Sequence, residues 1–146
     1  SIFLGGTGSA NELEDYEEGT FTPKLRTIGS SQGEQTGNGR YTKIGDMVHL
    51  DVQFDNKNAT GLQDNNYIYI TNLPFTTNSR ATSTAPQTYN INSYPDDQVY
   101  FMCDTGNSAL IGFRSVSNST WQYWASGHFR GSQIYCRVNI TYKTNA

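Results

Sequence analysis

The sequence predicts an all-β fold, an antiparallel β-sandwich that is jelly-roll-like. No stretch of the 146 residues carries apolar side chains at helical spacing over a useful length. Short runs rich in β-branched and aromatic residues are separated instead by Gly, Asn, Asp, Ser and Pro. One run, residues 47–55, alternates between apolar and polar side chains, which is typical of a strand with one buried and one wet face.

The predicted strands follow one another from residue 21 to the end of the chain. They comprise residues 21–25, 40–44, 47–55, 67–71, 88–92, 99–104, 109–114, 121–130 and 133–143. Before them, residues 11–18 are expected to form at most one helical turn, with Asn11 as its cap and Gly19 as its end. We therefore divide the chain into a leader, residues 1–19, and a sandwich domain, residues 20–146.

Three hairpins are expected. Gly45 and Asp46 form a turn between the second and third strands. Residues 99–104 and 109–114 pair around the segment 105–108, and both faces of this pair are apolar, so we expect a subunit interface on one face. A cover by the protein's own loop, residues 78–88, is the alternative.

The third expected hairpin is C-terminal, with Gly131 and Ser132 as a two-residue turn. That register pairs residue 130 with residue 133 and collects apolar side chains on one face. The other face collects polar side chains and one indole: Trp124, His128, Tyr135, Arg137 and Asn139.

Composition excludes several classes of function. The net charge is −3 and no basic run is present, which disfavours nucleic acid and anionic membrane surfaces as partners. No apolar stretch reaches the roughly 20 residues of a spanning helix. The two cysteines, Cys103 and Cys136, are expected to be buried thiols, although a bridge between them stays open. Because the chain begins at Ser1, we expect a fragment or a processed product.

Motifs of catalysis are missing from the sequence. It carries no nucleophile elbow, phosphate-binding loop or zinc signature. The two histidines, His49 and His128, have no second ligand at a helpful spacing, so we expect no metal and no cofactor. The acidic pairs near Glu17 and Asp97 lack the geometry of a glycosidase, so we expect no enzyme.

The leader and the first strands resemble the C-terminal heads of bacteriophage tail fibres and tailspikes. The resemblance rests on Gly5-Gly6-Thr7-Gly8, on Asn11 and Leu13, and on the run from Asp15 to Pro23, where Phe21 replaces a frequent Trp. It continues in the segment 39–49 and in Leu73-Pro74-Phe75-Thr76. It implies a homotrimeric fibre head on the virion, joined through its N-terminus to a shaft and exposed outside the cell when it acts.

The resemblance also implies attachment to a host surface polysaccharide or lipopolysaccharide. Sugar recognition needs an aromatic plate and planar polar groups, which the face with Trp124 would supply. A loop with Tyr94 and Asp96 and the loop at residues 115–120 are alternative sites. A structural trimerisation or folding cap, a depolymerase accessory domain and a cellular carbohydrate-binding module stay open as other functions.

Overall fold

The structure, a computed structural model, describes residues 2–3, 12–13, 15–62, 66–91, 98–116, 119–129 and 131–146. Strands dominate the described residues, and the only described helical element is a short 3-10 turn, Ser126–His128. The strands are β1 (Ile2–Phe3), β2 (Glu12–Leu13), β3 (Tyr16–Phe21), β4 (Lys24–Thr27), β5 (Ser30–Thr36), β6 (Asn38–Ile44), β7 (Met47–Lys57), β8 (Ile68–Thr71), β9 (Ala81–Thr82), β10 (Gln87–Tyr89), β11 (Gln98–Cys103), β12 (Ala109–Ser115), β13 (Gln122–Tyr123) and β14 (Ile134–Lys143). Within these residues no helix is long and apolar enough to cross a membrane.

Two antiparallel sheets pack face to face, which confirms the predicted all-β sandwich. The first sheet has the strand order β10-β14-β7-β6-β3. The second has the order β5-β4-β8-β12-β11-β9, and β13 pairs with β12. In the leader, β1 and β2 form a separate antiparallel pair.

The core lies between the inner faces of the two sheets. β7 and β14 supply it from the first sheet through strict alternation, since every second side chain is buried over most of both strands. Leu25, Ile70, Phe101 and Leu110 supply it from the second sheet, each fully buried. The alternation that the sequence predicts for residues 47–55 is therefore confirmed, as is the burial of both cysteines as free thiols.

Two of the three predicted hairpins are present. β6 and β7 pair from Ile44 and Met47 outward, and Gly45 at the turn has a φ of 59°, a conformation that favours glycine. β11 and β12 pair as predicted, and their outer face carries apolar side chains. The segment around Ala81 does not cover that face, because it adds the edge strand β9 beside β11.

The predicted C-terminal hairpin is wrong. β14 pairs with β7 on one side and with β10 on the other, at sequence separations of 77–96 and 46–50 residues. The segment before it contains only the two-residue strand β13, followed by the 3-10 turn. The physical reason is that the apolar alternation of β14 is compatible with any strand of the same period. β7, with 11 residues, can pair along the whole of β14, whereas β13 has only two residues.

The N-terminal boundary also differs from the expectation. Residues 16–21 form the edge strand β3 on β6, so neither a helical turn nor the single strand predicted for residues 21–25 forms there. Pro23 follows β3, and the chain then enters β4 in the other sheet. Asp15 contacts the buried ammonium of Lys43 at 2.7 Å, which fastens the acidic segment to the domain. Asn11 lies outside the described residues.

Two glycines in β3 and β6 leave room for aromatic rings. A Cβ on Gly39 would lie 2.4 Å from the ring of Phe21, its cross-strand partner. A Cβ on Gly19 would lie 2.8 Å from the ring of Tyr41. Each ring therefore covers a glycine across the strand pair, which binds β3 closely to the sheet.

Candidate functional site

The outer face of the first sheet is a continuous polar surface. Because directly paired residues share a face, cross-strand pairing places polar side chains in rows. One row contains Gln87, Arg137, Gln53 and Asn38, and the next contains Asn139, Asp51, Arg40 and Thr20. Amide, guanidinium and carboxylate groups therefore stand side by side across the five strands.

One end of this face holds a depression that we call the tyrosine pocket. It has a volume of about 530 Å³ and is lined by Gln87, Thr88, Tyr89, Gln133, Tyr135 and Arg137. The rings of Tyr89 and Tyr135 meet edge to face, with centroids 5.8 Å apart and planes at 75°. Tyr89 is 60% exposed, so most of its ring is available to a ligand. The volume lies within the range of roughly 300–1,000 Å³ that small-ligand pockets occupy.

Arg137 is oriented by two side chains on neighbouring strands. Its Nε donates to Oδ1 of Asp55 at 3.0 Å, and Nη1 donates to Oε1 of Gln87 at 3.4 Å. The hydrogen bond to Asp55 raises the pKa of the Arg137 guanidinium above its usual value. The carboxylate of Asp55 balances the charge of the guanidinium in this pocket, which suits hydroxyl-rich neutral ligands.

A second depression continues the same face beyond the pair formed by Arg137 and Gln53. Its volume is about 710 Å³, and its lining is mostly polar: Thr20, Phe21, Thr22, Asn38, Gly39, Arg40, Asp51 and Gln53. Five strands span about 20 Å in the direction of their hydrogen bonds. The two depressions together offer room for several units of a linear polymer.

The structure brings together three of the predicted site residues. Tyr135, Arg137 and Asn139 project from the outer face of β14, as the predicted alternation requires. Tyr94 and Asp96 lie outside the described residues. Tyr89, Gln87 and Gln133 were not predicted as site residues, although an aromatic residue beside polar ones in the run 88–92 was the available signal.

The predicted place of Trp124 on the polar face, whether open or covered there by a loop or a neighbouring subunit, is wrong. Its side chain is fully buried and packs against Phe129 and Phe101, at centroid distances of 4.4 and 5.8 Å. Its backbone joins β12 to β8, because its N–H donates to the carbonyl of Gly112 and its carbonyl accepts from the N–H of Ile68. In a pleated strand Tyr123 points outward, so Trp124 must point into the core.

The predicted place of His128 is also wrong. It belongs to the 3-10 turn and not to a strand beside Tyr135, and its Nδ1 lies 3.1 Å from the carbonyl oxygen of Ala125. The other histidine, His49, lies on the polar face, with its Nδ1 3.0 Å from Oγ1 of Thr141. Among the described residues no three His, Cys, Asp or Glu side chains are grouped so as to hold a metal ion.

Comparisons of the chain with protein-family models, with curated proteins and with solved structures found no match. The function is therefore inferred from the residues and from the geometry of the polar face.

Proposed function

We propose that the chain is the receptor-binding head of a phage tail fibre or tailspike, which attaches the virion to a host surface polysaccharide or lipopolysaccharide without cleaving it. The tyrosine pocket carries this proposal. Exposed tyrosine rings contact the apolar face of a pyranose, and the guanidinium of Arg137 and the amides of Gln87 and Gln133 exchange hydrogen bonds with hydroxyls. The polar rows beside the pocket extend the contact along the polymer.

The motifs of the leader support the placement on a fibre. The segment from Asp15 to Phe21 leads directly into the first sheet as β3, so a preceding shaft would join the head at this edge. We propose that three copies assemble around that shaft. Several weak sites on one particle then bind with an avidity well above the affinity of each, by a factor of roughly 10²–10⁴.

Truncation of Tyr89 tests the proposed site. Its side chain is exposed, so Tyr89→Ala leaves the fold intact while it removes a ring from the pocket. Loss of a central aromatic contact costs about 2 kcal/mol, and about 1.4 kcal/mol is a factor of ten, so we expect binding to purified host polysaccharide to weaken at least about tenfold. Ile28→Ala is the matched control, since Ile28 is 41% exposed between β4 and β5 of the second sheet, away from the pocket.

A structural cap of the fibre is the second candidate, and one surface feature favours it. Tyr16, Ile44 and Met47 form an exposed apolar row of cross-strand neighbours next to the leader. Such a row suits contact with another copy of the chain. Loss of trimer mass in Ile44→Asp, with no polysaccharide binding by the unmodified chain, would favour the cap. New reducing ends after incubation with polysaccharide would instead show a depolymerase.

A further inference from the structure

The outer face of the second sheet carries a ladder of aromatic rings on the side opposite the polar face. Tyr100, Phe113 and Tyr123 are direct cross-strand neighbours on β11, β12 and β13. The rings of Tyr100 and Phe113 stack with centroids 6.0 Å apart, and those of Phe113 and Tyr123 lie 4.8 Å apart. Tyr67 continues the ladder, stacked 3.8 Å from Tyr123.

Trp121 lies across the edges of this ladder. Its plane is inclined at 78° to Phe113 and at 88° to Tyr123, with centroid distances of 5.1 and 5.7 Å. Both contacts are T-shaped, an arrangement that is favourable because ring edges are positive and ring faces negative.

Much of the Trp121 indole is open to solvent. Trp121 is 58% exposed, whereas its neighbour Phe113 is only 3% exposed. An exposed indole in contact with neighbouring rings offers a stacking surface for the C–H face of a sugar ring. We expected an aromatic plate at Trp124, and the exposed indole lies three residues earlier in the chain.

An ion pair borders the same depression, which has a volume of about 290 Å³ and includes Met102 and Ile111 in its lining. Nε of Arg80 donates to Oδ1 of Asp104 at 3.0 Å, and Oδ1 also accepts from the backbone N–H of Thr105. Together with that N–H, the hydrogen bond from Arg80 keeps the pKa of Asp104 below its usual value. Both hydrogen bonds that the Asp104 carboxylate accepts from described residues go to Oδ1, so Oδ2 is available to a ligand.

We propose that this depression, the Trp121 site, binds a pyranose. The sugar would stack on the exposed indole of Trp121, and two adjacent hydroxyls would contact Oδ2 of Asp104 and the guanidinium of Arg80. An acceptor beside a donor matches a vicinal diol, in which one hydroxyl donates and the other accepts. A second copy of this chain fits the surface less well, because it would cover the exposed charges of Arg80 and Asp104, 77% and 39% accessible.

The site is independent of the tyrosine pocket, since the two lie on different sheets. It can be tested by NMR of the chain with ¹⁵N-labelled indoles, titrated with methyl glucoside, galactoside, mannoside and N-acetylglucosaminide at millimolar concentrations. We expect at least one of these probes to shift the indole N–H signal of Trp121 in a saturable manner. The signal of the buried Trp124 should stay in place and serves as an internal control.

Variants extend the same test. Asp104→Asn should lower the affinity for the glycoside about tenfold. Trp121→Ala should lower the affinity for the polysaccharide by a similar factor, and Trp121→Tyr should retain most of that affinity. Tyr89→Ala should leave the Trp121 shift unchanged. If Tyr89→Ala has no effect on polysaccharide binding while the Trp121 shift persists, the proposed role of the tyrosine pocket is refuted and the Trp121 site is not.

Two results would overturn the Trp121 site. One is the absence of any Trp121 shift with all four glycosides, together with unaltered polysaccharide binding in Trp121→Ala. The other is a smaller molar mass for Trp121→Ala than for the unmodified chain, which would assign the face to a contact between copies.

Discussion

The two tryptophans, three residues apart, should differ widely in the stability that is lost when each is truncated to Ala. Trp124 is fully buried among aromatic rings, and the described part of the chain gives its Nε1 no hydrogen-bond partner. Trp121 is 58% exposed and makes T-shaped contacts with Phe113 and Tyr123. We therefore expect Trp124→Ala to unfold the protein readily and Trp121→Ala to leave it folded.

The magnitudes follow from burial. Truncating a buried Trp to Ala costs about 3–5 kcal/mol, which lowers the melting temperature of a domain of this size by roughly 10–15 °C. Trp121 makes two T-shaped contacts worth about 0.5–1.5 kcal/mol each, so Trp121→Ala should cost about 1–3 kcal/mol. Trp124→Phe keeps one ring and removes the unpartnered N–H, so its cost should fall well below that of Trp124→Ala.

Urea unfolding followed by circular dichroism measures all three variants on one scale. Acrylamide quenching adds a second readout, since the fluorescence that remains in Trp121→Ala should come from a shielded indole. A cost for Trp124→Ala below about 1 kcal/mol, or a larger cost for Trp121→Ala, would refute the assignment of the two side chains.

Three further predictions concern the fold and its dependence on pH. Gly39→Ala should cost about 1–3 kcal/mol in urea unfolding, because its Cβ would meet the ring of Phe21; unchanged stability would contradict the close approach. Asp15→Asn should cost about 1–3 kcal/mol because it leaves the buried ammonium of Lys43 without its carboxylate. Adding Lys43→Met to this variant should recover part of the loss. Strictly additive costs of the two substitutions would show that the pair is not coupled. Burial raises the pKa of the Cys136 thiol from 9.0 to about 12. The unfolded chain therefore releases this proton at a lower pH than the folded chain does, so the stabilisation present below pH 9 is lost between pH 9 and pH 12. Cys136→Ala should make the melting temperature fall less steeply over that window. An unaltered fall would contradict the burial of the thiol.

Alternation predicts strands and faces well in this chain. The inward and outward side chains of β7 and β14 follow directly from the period of two, and hence so do the outward positions of Tyr135, Arg137 and Asn139. The same pattern does not choose partners. Any strand with one apolar face can pair with β14, and the nearest such run in sequence is the expected partner. The fold uses the distant strand β7 instead.

The error over the tryptophans has a local cause. The predicted strand 121–130 ends early, since the 3-10 turn at Ser126–His128 interrupts it after β13. With β13 paired to β12, the pleat turns Trp124 inward. The strand β5 was missed because none of its residues, Ser30–Thr36, is apolar. It carries no periodic signal, although Glu34 in this strand contacts Lys24 and Arg26 on β4.

Attachment to a glycan is decided by titrating the purified chain against surface polysaccharide from candidate bacterial hosts, with its molar mass measured in the same solution. We expect saturable binding by a trimer, weakened about tenfold in Tyr89→Ala, unaltered in Ile28→Ala, and without new reducing ends. A folded chain that binds none of these polysaccharides, or one that cleaves them, would contradict the role of a non-catalytic receptor-binding head.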